Sequence, residues 1–170
     1  MKIQNSKHEI RKGVTLVELL VYMALVSLFM IVLVQLFTSI FSLQLTTQST
    51  STLTEDTRYI IARMGYDIEN ASSVSTPGTL GQVTTTLQFV GGDGLTHLYS
   101  LDGNGNLVQT VSGVAANLNG LDTKIGSITF KRVGTLGEAP TIQVNFTIES
   151  TVTEVTGVRT QTIQTTYGLR

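Results

Sequence analysis

The residues best suited to do chemistry lie near the start of the chain, where a long apolar run holds a single carboxylate. Gly13 is followed by Val14 and Thr15, and no charged residue separates Glu18 from Glu55. An acid at the centre of a membrane helix costs about 2.5–3.5 kcal/mol on insertion scales, and less near a helix end. Glu18 therefore predicts either a partner charge or a helix-start acid that the helix dipole favours. The residues alone leave both possibilities open.

The apolar part from Leu19 to Phe41 is long enough to span a bilayer, whose core of ~30 Å needs about 20 helical residues. The whole chain of 170 residues has a net charge of −1, but residues 1–13 carry about +3 and the remainder about −4. By the positive-inside rule, the N-terminus is cytoplasmic and the C-terminal domain lies outside. The charged residues of positions 1–13 are Lys2, Lys7, Glu9, Arg11 and Lys12.

A cleavable secretory signal is the alternative reading of this segment. Its basic start fits, but the apolar run is much longer than an h-region of about 7–15 residues, and no A-x-A site follows it. We therefore expect the apolar run to stay in the mature protein as an anchor.

The stretch from Gly13 to Val21 resembles the prepilin processing site of type IV pilins and of type II secretion pseudopilins. Val14 stands where that family most often has phenylalanine. The resemblance implies that prepilin peptidase cuts between Gly13 and Val14 and methylates the new amine of Val14. It also implies that Glu18 neutralises the N-terminal amine of a neighbouring subunit, and with the resemblance this role is favoured over capping at the membrane interface.

The expected fold class is α+β, with a long N-terminal helix packed on a C-terminal antiparallel sheet. Residues 1–13 form the leader peptide, 14–43 the membrane and assembly helix, 44–73 its amphipathic continuation, and 74–170 a β-rich exported domain. The hydroxyl-rich stretch Thr46–Thr52 is poor in helix propensity, so the helix either breaks there or passes through it.

Helical periodicity after this stretch predicts one apolar face and an end near Asn70–Ser73, before Pro77. Charged residues, Asp67 among them, occupy the other positions. The residues of the predicted apolar face are Leu53, Thr57, Ile60, Ile61, Met64, Ile68 and Ala71.

The rest of the chain predicts about six strands separated by glycine-rich turns. Asp102–Asn106 predicts a hairpin tip, since its Gly and Asn residues tolerate positive φ. The predicted strands are Gln82–Val90, Leu95–Leu101, Leu107–Val111, Ile125–Arg132, Thr141–Glu149 and Val158–Leu169.

The residue types predict neither an enzyme nor a cofactor or metal site. The chain has no Cys, and its two histidines, His8 and His97, are far apart, so His97 is expected to be an ordinary surface or half-buried residue. Asp102–Asn106 begins like a calcium loop, but residue 113 is Gly where the loop needs Glu. The mature region is acidic, with Lys131-Arg132 as its one basic doublet, so no nucleic acid partner is expected.

Further resemblance favours a minor subunit. Major pilins commonly carry a proline near the position of Gln35, and Glu55–Ile60, Asp67–Ala71, Tyr99–Leu101 and Thr166–Arg170 resemble larger minor pilins and J-type minor pseudopilins. The implied partners are prepilin peptidase/N-methyltransferase, other pilin or pseudopilin subunits, the inner-membrane assembly platform and membrane lipid. The alternatives are a tip adhesin and an anchored surface protein that does not assemble.

Overall fold

The computed structural model describes residues 13–135, 137, 139–154 and 157–170. The leader residues before Gly13 lie outside this part of the chain. The described part forms one helix and nine strands, which confirms the α+β class predicted from the sequence. The elements are α1 (Leu16–Glu69), β1 (Ser73–Thr76), β2 (Val83–Thr84), β3 (Leu87–Val90), β4 (Thr96–Leu101), β5 (Leu107–Val111), β6 (Val114–Asn117), β7 (Thr123–Val133), β8 (Thr141–Glu154) and β9 (Gly157–Gly168).

The chain divides into two compact units between Phe41 and Ser42. In the first unit, the most apolar window of α1 has a mean hydropathy of 2.6, and none of its side chains is buried. By length and composition, α1 is the one helix in the described residues that could cross a membrane. An apolar surface on every side of a helix is typical of a segment surrounded by lipid or by other helices.

The hydroxyl-rich stretch Thr46–Thr52 is helical throughout, so α1 passes through it. Its hydroxyls donate to carbonyls of the preceding turn: Thr47 to Leu43 at 2.8 Å and Thr50 to Thr46 at 2.7 Å. Such bonds satisfy the side chains inside the helix, although the same residues favour other conformations in isolated peptides.

The predicted apolar face of α1 is confirmed in the second unit. Leu53, Thr57, Ile60, Met64 and Ile68 are all buried, as is Ala71 just beyond the helix, and Ile61 packs against this core. Asp67, which the periodicity places outside the apolar face, is also buried, and its carboxylate lies against polar side chains of the sheet.

Two antiparallel sheets form the rest of the second unit, with strand orders β1-β3-β4-β5-β6 and β2-β7-β8-β9. The predicted strand Gln82–Val90 is in fact two strands in different sheets, since Val83 pairs with Lys131 of β7 and Leu87 with Tyr99 of β4. Strands β1 and β6 were not predicted. Each has only four residues and none of them is buried, so both are too short to show the longer apolar alternation by which a strand is recognised in sequence.

The core lies where alternate strand residues meet the buried face of α1. In β8, Ile142, Val144, Phe146 and Ile148 are fully buried, as their alternation predicts. Phe130 of β7 is also fully buried and pairs with Val144. The sheets thus supply the cover that the amphipathic part of the helix requires.

Gly65 marks the closest approach between α1 and β9. A Cβ at this position would lie 2.8 Å from Cε1 of Tyr167. The Tyr167 ring is held in place because its hydroxyl donates to the carbonyl of Ile61 at 2.9 Å. A glycine inside a helix is unfavourable by propensity, so the contact with the ring explains its presence here.

We expect Gly65→Ala to destabilise the protein. Overpacking typically costs about 1–3 kcal/mol, which outweighs the gain of about 1 kcal/mol in helix propensity. Urea unfolding of the full chain in detergent micelles, followed by near-ultraviolet circular dichroism, measures the change. Gly103→Ala is the control, because a Cβ there meets nothing within 4 Å. A more stable Gly65→Ala protein would contradict the close-approach explanation.

A buried polar network joins α1 to the five-stranded sheet. The Tyr99 hydroxyl and the Gln109 amide both donate to Asp67 Oδ2, each at 2.6 Å. Arg63 Nε lies 3.1 Å from the same oxygen as an ion pair, but it is not aligned for a hydrogen bond. The two hydrogen bonds and the ion pair offset part of the cost of burying the carboxylate charge of Asp67.

His97 extends this network, so the expectation of an ordinary surface or half-buried histidine was wrong. The residue is 6% exposed and its ring stacks on Phe89 with the centroids 5.1 Å apart. Its Nδ1 lies 3.3 Å from Gln109 Nε2, and its Nε2 lies 3.1 Å from Asp93 Oδ2. Since Gln109 Nε2 is a donor, Nδ1 accepts and Nε2 carries the proton.

We expect a loss of stability above about pH 10 that depends on Tyr99. Burial, followed by the hydrogen bond to Asp67, raises the pKa of Tyr99 above its ordinary value of 10.0. A raised folded-state pKa gives stability that is full below the unfolded pKa and falls as pH rises above it. The Tyr99→Phe protein should therefore lose less stability than wild type between about pH 9 and about pH 11.5.

Urea midpoints across that range measure the effect, with Tyr59→Phe as a control because Tyr59 is an exposed tyrosine of α1. Some alkaline sensitivity should persist in Tyr99→Phe, since burial also raises the pKa of Tyr167. Identical pH profiles for wild type and Tyr99→Phe would show that the Tyr99 contact with Asp67 does not govern alkaline stability.

Candidate functional site

The residues of the predicted processing site lie directly before α1. Gly13, Val14 and Thr15 have no helical or strand assignment, and all three are exposed. Val14 is 65% exposed. The peptide bond between Gly13 and Val14 is thus outside the helical hydrogen-bond ladder, in a conformation open to an incoming enzyme.

Thr15 is the N-cap of the helix. Its Oγ1 accepts a hydrogen bond from the backbone N–H of Glu18 at 3.3 Å, and its carbonyl accepts from Leu19 N at 3.1 Å. Thr15 and Glu18 have the three-residue spacing of a capping box. The sequence contained this signal, but the processing-site interpretation used Thr15 only as part of the motif.

Glu18 lies in the first turn of α1, where a carboxylate interacts favourably with the helix dipole. Its Oε1 accepts a hydrogen bond from the hydroxyl of Tyr22 at 3.1 Å. The two residues are one helical turn apart, so their side chains lie on the same face. Sequence reasoning missed Tyr22 because an aromatic residue in an apolar run is by default a lipid-facing side chain.

Within the described part of the chain, nothing requires a glycine at position 13. A Cβ built there meets no described atom within 4 Å, and the backbone has no positive φ that would disfavour a side chain. Any requirement for glycine must therefore come from a partner that binds this segment. Gly13 therefore differs from Gly65, which is required by the packing of α1 against Tyr167.

A second candidate is a cavity of about 380 Å³ beside the C-terminal end of α1. Asp93 faces it, and a backbone hydrogen bond from Leu95 holds the pKa of its carboxyl below the ordinary 3.8, with a smaller contribution from His97. Within this lining His97 contacts Asp93 and Arg63 forms an ion pair with Asp67, which is the pattern of a structural network. The lining residues are Arg63, Tyr66, Asp67, Asn70, Phe89, Gly91, Gly92, Asp93 and His97.

The Asp102–Asn106 segment forms the hairpin tip that was predicted, between β4 and β5. Asp102 Oδ1 accepts from the backbone N–H groups of Asn104 at 2.9 Å and Asn106 at 2.7 Å. These hydrogen bonds, chiefly with Asn106, lower the pKa of the Asp102 carboxyl. Its charge therefore serves to close the turn.

Comparison with known proteins gives one match, at the start of the chain. Residues 10–34 match the model of the prokaryotic N-terminal methylation motif, and this segment includes Gly13, Val14, Glu18 and Tyr22. Searches of characterised proteins and of solved structures returned no match. The motif supports a pilin-like or pseudopilin-like chain that is made as a precursor for prepilin peptidase. With the long apolar helix, it supports anchoring in the inner membrane by a single span.

Proposed function

We propose that this protein is a structural minor subunit of a type IV pilus-like or type II secretion pseudopilus fibre. The observation that carries the proposal is the methylation motif at residues 10–34, whose acid Glu18 sits in the first turn of an apolar helix. The protein acts by assembly, through its helix, and not by catalysis. Its C-terminal β-domain is carried on the outside of the membrane.

In this proposal, prepilin peptidase cuts the precursor between Gly13 and Val14 and methylates the new amine of Val14. The exposed, non-helical backbone of residues 13–15 supports the cut, because a protease needs the scissile bond free of helical hydrogen bonds. The open space around Gly13 supports a requirement imposed by the enzyme. The peptidase and the inner-membrane assembly platform are thus the first partners of the chain.

Glu18 then pairs with the Val14 amine of a neighbouring subunit in the fibre. A carboxylate and an ammonium about 4 Å apart attract far more strongly in a poorly hydrated helix bundle than in water. The pair also removes the cost of leaving either charge unpaired in apolar surroundings. Electrostatic pairing of this kind selects the subunit register, while the apolar helix surface supplies the bulk of the contact.

The role of a minor subunit is supported by the helix itself. Major pilins commonly carry a proline in the apolar segment, whereas residues near Gln35 are helical and contain none. Together with the resemblance of Asp67–Ala71 and of Thr166–Arg170 to larger minor pilins, this supports a role at the start or cap of a fibre.

Changing the glycine tests the processing site. We expect Gly13→Leu to leave the precursor uncut, because the bulky side chain does not fit a peptidase that selects glycine. Intact-mass spectrometry of the membrane fraction reads this directly: wild type should begin at N-methylated Val14, and the variant should retain residues 1–13.

Folding of the β-domain should be unchanged in this variant, since position 13 has room for a side chain. Gly103→Leu is the matched control, as it places the same side chain in open space on an exposed turn and should be processed normally. Cleavage of Gly13→Leu at the wild-type rate, or a wild-type N-terminus elsewhere than Val14, would refute the site.

Removing the charge of Glu18 tests its role in assembly. We expect Glu18→Gln to be inserted and cut as wild type but to enter fibres at least about tenfold less, the factor that corresponds to 1.4 kcal/mol. Quantitative blotting of sheared fibres against the membrane pool measures incorporation. Glu55→Gln is the control, because Glu55 is an exposed acid further along the same helix.

Normal incorporation of Glu18→Gln would leave Glu18 with a capping role only. A processed chain that never appears in fibres would favour the anchored surface protein. Immunogold labelling of this protein confined to fibre tips, together with loss of fibre adhesion when the protein is deleted, would favour the tip adhesin.

A further inference from the structure

We propose that Tyr22 is a positioning residue that keeps the Glu18 carboxylate available for the amine of another subunit. This inference rests on the proposed maturation at Val14, and it adds a residue that the processing motif does not account for. The observation behind it is the hydrogen bond from the Tyr22 hydroxyl to Glu18 Oε1 at 3.1 Å.

The competing partner of Glu18 is the N-terminus of its own chain. Val14 lies four residues before Glu18 and directly before the N-cap Thr15, so its new amine would stand next to the first turn of α1. Helical side chains lean towards the N-terminal end, so Glu18 is inclined towards Val14 while Tyr22 reaches back over Glu18. Once the leader is removed, Glu18 therefore has a cation within its own chain at the right spacing for an ion pair.

In the uncut chain, where Val14 still has an amide and no amine, the Glu18 side chain already has Tyr22 as its partner. The Thr15 half of the capping box is formed, with Glu18 N donating to Thr15 Oγ1 at 3.3 Å. In a complete box the Glu18 side chain would turn back to the Thr15 N–H. Instead, Oε1 accepts from Tyr22, one turn further along the helix. One carboxylate oxygen of Glu18 is thus engaged by Tyr22 and not by the N-terminal backbone of its own chain.

A hydroxyl is well suited to this task in apolar surroundings. A buried or lipid-facing carboxylate with no donor is strongly unfavourable, so Glu18 needs a partner before assembly. A phenol supplies one hydrogen bond without a charge, and an incoming ammonium displaces it more readily than it would displace an existing ion pair. Tyr22 is 56% exposed in the isolated chain, so a neighbouring helix can reach the pair.

The test uses the mature full chain, produced with prepilin peptidase and reconstituted in vesicles of phosphatidylethanolamine and phosphatidylglycerol. Glutamate carries ¹³C at Cδ and valine carries ¹⁵N, and the labelled chain is diluted into unlabelled chain so that only contacts within one chain are seen. Rotational-echo double-resonance NMR then reports the distance between the Val14 amine nitrogen, which has its own chemical shift, and Glu18 Cδ.

In wild type we expect this distance to exceed ion-pair range, and in Tyr22→Phe we expect it to fall within about 4–5 Å as the carboxylate turns to its own amine. Incorporation of Tyr22→Phe into fibres should fall by roughly fivefold, since each new contact must first break an internal pair. Ser27→Ala is the matched control: it also removes one hydroxyl from the apolar helix, and that hydroxyl donates only to the Met23 carbonyl.

Equal distances in wild type and Tyr22→Phe would overturn the inference, as would unchanged incorporation of the variant. Loss of cleavage or methylation in Tyr22→Phe would also overturn it, because Tyr22 would then serve the peptidase. Failure of the proposed function is distinct: a wild-type chain that retains its leader is detected by intact mass before any distance is measured.

Discussion

The structure depends on one helix meeting two different solvation requirements. Up to Phe41 its apolar side chains are exposed on every side, whereas from Ser42 onward only one stripe is buried. A helix with a single apolar stripe is stable only when another element covers that stripe. The two sheets provide the cover, and the hydrophobic contact of Ile60, Met64 and Ile68 with the strands is the interaction on which the second unit rests.

Polar contacts then fix where the helix lies on the sheets, because apolar burial alone has no direction. Asp67 meets Tyr99 and Gln109, Asp56 accepts from the backbone of Gly120 at 2.8 Å, and the Tyr167 hydroxyl reaches Ile61. Each contact joins a helical residue to a different part of the β-domain. A one-residue shift of the helix would leave these groups unpaired, which costs more than a lost contact between two apolar side chains.

Sequence reasoning found what periodicity encodes and missed what depends on tertiary partners. The buried stripe of the helix and the alternation in β8 follow from spacings of three to four and of two residues, and both were predicted. His97 was expected to be a surface or half-buried residue, and Asp67 was placed outside the apolar face, in line with the surface preference of both residue types. Both side chains contact Gln109 in the buried network, and Gln109 lies 42 residues from Asp67 in the sequence. A partner so distant in sequence cannot be predicted from a local residue pattern. Tyr22 was missed for a related reason, because a phenol in an apolar run looks the same whether or not a carboxylate lies one turn before it.

The charge at Glu18 is best understood as a constraint that changes with maturation. Before the cut, residue 14 is an ordinary amide and the carboxylate has only dipole and hydroxyl partners within its helix. After the proposed cut, every copy of the chain carries one amine and one carboxylate four residues apart. If these charges pair within one chain, neither is available to another subunit. If they pair between chains, they contribute to assembly. The hydrogen bond from Tyr22 favours pairing between chains, because it gives the Glu18 carboxylate a neutral partner and leaves its charge available to the amine of a second subunit.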